Sequence, residues 1–370
     1  MKYYIIAGEA SGDVHASNLI RGLYAQDPAC DVRFWGGDAM AAAGGTKVQD
    51  YRETAVMGLV EVMGSLRKIL GRMAFCKRDL VAWKPDAVIL VDYPSFNLRI
   101  ARFAKAQGFK VYWYIAPKVW AHKAWRVKNL QRDVDVLYSI FPFELAWFRS
   151  HGIEPRYFGN PLIDRIGRTE IKPVGQGKSI ALLAGSRAFE LKFLMPRFVA
   201  LEHLLDADPR TAGYRLVVAC APSLTEEAYR KYLPEGSRIE LVSGRTYDVL
   251  HQADAAVISS GTASLEAALL GTPQVVCYGG SPVSYLVSKV TVHVPYISLA
   301  NLVLDRAIFP ELIQGQASPE RIKTELERLL FDECVRARLA DDYEELKNRL
   351  GGPGASDRTA RDIYEETARL

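Results

Sequence analysis

Tyr3-Tyr4-Ile5-Ile6-Ala7-Gly8-Glu9-Ala10-Ser11-Gly12-Asp13 reads as a short apolar strand running through a glycine turn into a helix. The same device returns at Ile180-Ala181-Leu182-Leu183-Ala184-Gly185-Ser186-Arg187. In a parallel α/β sheet such a turn lies at the carboxyl end of a strand, and the helix that follows aims free amides at a ligand. Two copies about half the chain apart predict two α/β domains, each a doubly wound parallel sheet, facing across a cleft.

Around these turns, β-rich runs at 3–7, 87–91, 110–115 and 136–141 alternate with amphipathic stretches through the first half. Runs at 180–184, 215–219, 239–242, 255–259 and 274–278 repeat the pattern in the second. Alternation of this kind is the mark of a helix-covered parallel sheet. The Gly-, Pro- and charge-rich run 159–178 reads as a linker, which predicts domains at 1–165 and 166–354. Residues 318–370 read as helical, broken at Gly351-Gly352-Pro353-Gly354, and the last helix, about 355–370, is expected to pack back on the first domain.

A chain of 370 residues that is 49% hydrophobic and 24% charged has material for two cores and is not a disordered protein. Its net charge of +4 is too mild to argue for nucleic acid, and no nucleic-acid partner is expected. No apolar run approaches membrane-spanning length and the start lacks the apolar region of a signal peptide, so a cytoplasmic location is expected. Five cysteines without a CxxC pair indicate neither a disulfide framework nor zinc.

Ile258-Ser259-Ser260-Gly261-Thr262-Ala263-Ser264-Leu265-Glu266 delivers Ser260, Gly261 and Thr262 to a helix start. Bare amides and hydroxyls there suit a phosphate, and Glu266 about one turn on suits the two hydroxyls of a ribose. An ordinary capped helix with Glu266 on its solvated face fits the same residues; their place in a second α/β domain favours a nucleotide. Arg187, after Gly185-Ser186, offers a guanidinium fork to a diphosphate. No GxxxxGK[ST] is present, so a P-loop is excluded.

In the first half, Asp92 follows the strand Ala87-Val88-Ile89-Leu90-Val91 directly, where partial desolvation raises a carboxyl toward the range of a general base. His15 and His122 are weaker candidates. Asp133-Val134-Asp135 has the look of a metal-holding DxD pair but lies before a strand, at the end of the sheet opposite the ligands, so no metal is expected there. Residues 56–78 place Val56, Leu59, Val60, Met63, Leu66, Leu70 and Met73 at helical spacing among Arg67, Lys68, Arg72, Lys77 and Arg78. A core helix explains that stripe, and so does a helix lying on an anionic membrane surface.

Taken in order, Ala7 to Asp13 (AGEASGD), Ala55 to Gly64 (AVMGLVEVMG), Val91 to Asn97 (VDYPSFN), Pro117 to Ala121 (PKVWA), Leu182 to Arg187 (LLAGSR), Ser259 to Glu266 (SSGTASLE) and Tyr296 to Leu302 (YISLANL) resemble the lipid A disaccharide synthase family across nearly the whole chain. The resemblance implies a GT-B glycosyltransferase with two Rossmann-like domains, at the cytoplasmic face of the inner membrane of a Gram-negative bacterium. It implies transfer of 2,3-diacylglucosamine from its UDP ester to 2,3-diacylglucosamine 1-phosphate (lipid X), giving a β-1,6-linked disaccharide and UDP without metal or other cofactor.

By matching positions the resemblance makes Asp92 the base and gives Arg187 and Glu266 to the nucleotide site, where the turn readings above also place Gly185, Ser186, Ser260, Gly261 and Thr262. It assigns Asn301 to a functional segment; the first glycine turn, with Glu9, Ser11 and Gly12, reads as the acceptor half beside Asp92. The resemblance also permits a homodimer through the C-terminal helices. Ala184, Ala300 and His122 depart from the family pattern. Rival readings are another UDP-sugar enzyme of the same fold, such as a UDP-N-acetylglucosamine 2-epimerase, and a non-catalytic sugar-nucleotide-binding protein.

Overall fold

Residues 1–53, 62–121, 123–280 and 294–369 are described by the structure, a computed structural model, with 62–68 described through the backbone alone. The chain forms two compact units, 1–165 with 350–370, and 166–349.

The first unit holds β1 (Lys2–Ala7), β2 (Asp31–Gly36), β3 (Thr46–Asp50), β4 (Ala87–Val91), β5 (Lys110–Tyr114), β6 (Val136–Ser139) and β7 (Arg156–Tyr157), in the order β3-β2-β1-β4-β5-β6-β7. The second holds β8 (Ser179–Leu183), β9 (Arg215–Cys220), β10 (Glu240–Ser243), β11 (Ala255–Ser259), β12 (Gln274–Tyr278) and β13 (Glu311–Ile313), in the order β10-β9-β8-β11-β12-β13. All the described pairings are parallel. Burial along the whole of β4, β8 and β11 explains why these strands read as unbroken apolar runs: helices cover both faces. In each sheet the strand order reverses beside the first strand. That leaves a switch point between β1 and β4 and another between β8 and β11, the places where open α/β sheets bind ligands.

Alternation along β1 feeds two cores. Tyr3, Ile5 and Ala7 pack with Ala16, Leu19 and Leu23 of the helix Ala10–Gln26, whereas Tyr4 and Ile6 pack with Met73, Cys76, Leu80, Ile100 and Ala104 on the other face.

The C-terminal helix Ala355–Ala368 belongs to the first unit. Its Ala360 and Ile363 are fully buried in that core. A side chain on Gly22 would come within 2.7 Å of the Ala360 methyl, so the two helices meet at a glycine. Tyr138 donates to Asp362 at 2.7 Å, and Tyr112 and Thr367 share a hydrogen bond of 3.1 Å. Truncating Ile363 to Ala removes a fully buried side chain, at a cost of about 2–5 kcal/mol.

The run expected to be a linker is partly folded: Pro161–Gly167 is helical, and Asp164 accepts the amides of Gly354 at 2.5 Å and Ser356 at 2.9 Å.

Of the basic apolar stretch 56–78, residues 56–61 lie outside the described residues, as do the side chains of Val62 to Lys68. The remainder belongs to the helix Val62–Trp83, which divides its apolar residues between two faces. Met73, Cys76 and Leu80 enter the core, while Leu70 is 54% and Phe75 39% exposed beside Arg72, Lys77 and Arg78.

Candidate functional site

At the first switch point the register Ala7↔Val91 sets Gly8 next to Asp92. A side chain on Gly8 would come within 2.2 Å of the Tyr93 ring, so glycine is required there by packing. Asp92 and Tyr93 both take left-handed backbone, with φ of +45° and +49°. Two consecutive non-glycine residues in that region store strain, which persists only where surroundings impose it. Asn97, fully buried, imposes part of it: its Nδ2 donates to the Asp92 carbonyl at 2.8 Å. Ile115, at the end of β5, is also left-handed at +65°, so the strain gathers at neighbouring strand ends.

The Asp92 carboxyl is half-buried. Desolvation, with a lesser push from the charge of Glu9, raises it to about 6, against the pull of Lys118. Glu9 and Ser11 are exposed at the start of the helix Ala10–Gln26, and Gly12 lies buried under Val91. Asp13 plays a scaffold part: it accepts the amides of Gly37 at 2.6 Å, Ala39 at 3.1 Å and Met40 at 3.2 Å, tying the segment after β2 to the first turn of the helix Ala10–Gln26.

At the second switch point, Leu183↔Ile258 sets the Gly185 turn beside Ser259. Here the expectation of free amides is corrected. Glu190, buried at the third position of the helix Ala188–Asp206, accepts the amides of Ser186 at 2.7 Å and Arg187 at 3.1 Å through Oε2. The carboxylate fills the turn so closely that a side chain on Gly185 would come within 2.2 Å of it. A glutamate three residues after an N-cap is a readable capping signal. The turn thus presents the guanidinium of Arg187, whose side chain is 70% exposed and lies 3.6 Å from Glu190 Oε1.

The Gly261 turn is built differently. Gly261 takes φ of +144°, and among the described residues no hydrogen bond occupies the amides of Thr262 or Ala263 at the start of the helix Thr262–Leu269. Glu266 on that helix is buried, and Tyr247 donates its phenol to Oε1 at 2.9 Å. Ser260 donates to the carbonyl of Ile297 at 3.3 Å and so joins the turn to the 296–302 segment.

Asn301 in that segment is fully buried and spends its amide inside the fold. Nδ2 donates to Glu311 Oε1 at 2.8 Å and the Phe309 carbonyl at 3.2 Å, and Oδ1 accepts the Ile308 amide at 2.9 Å. Glu311 on β13 also accepts the amides of Ile297 at 2.8 Å and Ser298 at 2.9 Å. Sequence reading had no signal for Tyr247 or Glu311, because each acts through a residue distant in the chain.

Of the remaining candidates, Asp133 pairs with Arg132 at 2.6 Å and Asp135 with Lys105 at 2.6 Å, both at the end of the sheet away from Asp92. His15 is held down to about 4 by burial and by Arg165, against the opposing charge of Asp164, so it stays uncharged near neutral pH. His122 lies outside the described residues. Four sites expected from sequence therefore stand at the ends of four strands, β1 and β4 in one unit and β8 and β11 in the other.

A family model described as lipid-A-disaccharide synthetase matches residues 3–360. A lipid-A-disaccharide synthase of Myxococcus xanthus (strain DK1622) is 37% identical, covering 98% of this chain and 96% of its own. The chain belongs to the lipid-A-disaccharide synthase family. Among solved structures, a putative UDP-N-acetylglucosamine 2-epimerase from Listeria monocytogenes matches with a TM-score of 0.69 at 14% identity, covering 100% of this chain and 97% of its own. The glycosyltransferase SnogD from Streptomyces nogalater matches at 0.58 and 18% identity, covering 99% of each. These likenesses are of fold alone, and the fold is GT-B. The epimerase resemblance carries no more than that, whereas the family match runs through the sequence itself.

Proposed function

We propose that the protein joins UDP-2,3-diacylglucosamine to 2,3-diacylglucosamine 1-phosphate, forming a β-1,6-linked disaccharide 1-phosphate and UDP. Family membership supports the overall reaction, and the observation that carries the assignment of roles is the carboxyl of Asp92, raised to about 6 on a strained strand end. A base of that strength is mostly ionised at neutral pH and still takes a proton from a hydroxyl that is turning into a nucleophile. The acceptor's O6 gives its proton to Asp92 and bonds to the donor's anomeric carbon. The bond from that carbon to the UDP oxygen breaks, and configuration inverts. Negative charge then develops on the departing diphosphate, met by Arg187 and by the amides of Thr262 and Ala263. Glu266, oriented by Tyr247, takes the ribose hydroxyls as donors. Asn301 is a positioning residue in this reading, because its amide is committed to Glu311, Phe309 and Ile308.

Both substrates carry acyl chains, so the protein works as a peripheral protein on an anionic membrane, at the cytoplasmic face. Among the described residues no helix is long and apolar enough to cross a membrane. Two exposed features support contact with one: Leu70 and Phe75 amid Arg72, Lys77 and Arg78, and Trp125, 66% exposed, amid Lys123, Arg126 and Lys128. An exposed indole with basic neighbours suits the headgroup layer.

Incubation of the protein with both acylated substrates tests the reading. Disaccharide and UDP in equal amounts are expected. Consumption of the UDP-sugar without acceptor, or binding without turnover, would support the epimerase or sensor reading instead.

A further inference from the structure

The turn after β5 runs Pro117-Lys118-Val119-Trp120-Ala121. Its Trp120 is anchored by a carboxylate with no part in the reaction above. Glu144, on the helix Pro142–Ser150, is fully buried; Oε1 accepts the Trp120 indole N–H at 2.9 Å, and Oε2 accepts the hydroxyl of Ser139 at the end of β6. The Trp120 ring meets Phe143 edge-on at 4.9 Å, and Phe143 stacks on Phe141 at 5.4 Å. Taking a carboxylate fully out of water costs several kcal/mol, and a glutamine of the same size would accept the indole N–H without that cost. The charge has a counterpart in Lys118, which acts on Glu144 and on Asp92 alike. Register explains how one ammonium lies within electrostatic range of both: Val91↔Tyr114 and Tyr114↔Tyr138 line up the ends of β4, β5 and β6.

We infer that Glu144 is a positioning residue for the transfer: through Trp120 it fixes the 117–121 turn so that Lys118 stands beside Asp92 and receives the acceptor's phosphate. The inference rests on the reaction proposed above. A strongly hydrated point charge suits a phosphate, and without it the phosphate and the ionised Asp92 repel. Burial pushes Glu144 up to about 7; the hydroxyl of Ser139, the indole of Trp120, the charge of Lys118 and the Phe141 amide oppose it. Tyr157 on β7 faces it as well. Ionised Glu144 accepts the indole N–H through a charge-assisted bond, roughly twice as strong as a neutral one. The turn is therefore held best above neutral pH.

The test compares Glu144→Gln, Trp120→Phe and Lys118→Gln in the full chain, with lipid X and with the same acceptor lacking its phosphate. KM for lipid X should rise about tenfold in Trp120→Phe and Lys118→Gln, each of which loses a charge-assisted contact, and by less in Glu144→Gln, whose amide oxygen still accepts the indole N–H, while UDP affinity stays as in the wild type. The dephosphorylated acceptor should show no such penalty. The acceptor kcat/KM of the wild type should rise through pH 7 in addition to its Asp92 limb, and Glu144→Gln should lose that upper rise. An unchanged KM for lipid X in Lys118→Gln, whose side chain is exposed and whose loss the fold will tolerate, overturns the inference, as does an equal penalty with both acceptors. Disaccharide formation by the wild type is the control: its absence would defeat the transferase reading, whereas its presence with insensitive variants defeats this inference alone.

Discussion

Oε1 of Glu266 accepts the phenol of Tyr247 at 2.9 Å, with both side chains buried. The bond fixes one oxygen of the carboxylate proposed for the ribose, so under that proposal Tyr247 acts on the nucleotide through Glu266. Tyr247→Phe keeps the ring and loses the donor. Calorimetry should show UDP binding weakened about fivefold, near 1 kcal/mol, with kcat within a factor of two.

Asp92 yields a prediction with opposite signs for activity and stability. Its carboxyl holds a proton up to about 6 in the fold, against 3.8 as its ordinary value. Activity should therefore fall as pH drops through about 6. Folding stability should fall as pH rises from about 4 to about 6, because the native state binds the proton more tightly, and that loss persists above 6. Asp92→Asn should melt higher than the wild type at pH 8, by on the order of 1–2 kcal/mol, with no advantage at pH 4. Thermal melts at the two pH values check this.

Glu311 holds three donors of the 296–302 segment, those of Ile297, Ser298 and Asn301. Glu311→Ala leaves them without their acceptor and should cost roughly 2–4 kcal/mol in denaturant unfolding. Through the Ser260 bond to Ile297 it should also weaken UDP binding. Glu311→Gln should recover part of both effects, since an amide oxygen still accepts.

What sequence conveyed and what it hid follow from the same physics. The strands beside the switch points, such as 87–91 and 255–259, are buried on both faces and read as apolar runs. β3 is Thr46–Asp50 at a sheet edge with no fully buried residue, β7 is two residues long, and β13 three, so their composition carried no signal. Asp92 was legible because a carboxylate directly after an apolar strand is out of place. The filling of the Gly185 turn by Glu190 was hidden behind a motif that looks open in sequence. Asn301 shows the opposite limit: resemblance marks the residue, and only its bonds to Glu311, Phe309 and Ile308 show what its amide does.

Leu70, Phe75 and Trp125 are exposed, so replacing them should not unfold the protein. Each fully buried apolar side chain contributes about 1.5–3 kcal/mol to partition into an apolar phase. Replacing all three by Ser should lower binding to anionic liposomes by at least about tenfold, read by flotation, with UDP affinity intact. Unchanged flotation would remove both surfaces from the membrane contact.

In the proposed transfer, Asp92 takes the proton of the acceptor hydroxyl. A single-turnover measurement with saturating acylated donor and lipid X, comparing wild type with Asp92→Asn while UDP affinity is measured on the same preparations, tests it most directly. One disaccharide per UDP is expected from the wild type, and a rate about a hundred- to ten-thousandfold lower from the variant with UDP binding retained. Near wild-type turnover by Asp92→Asn would contradict it.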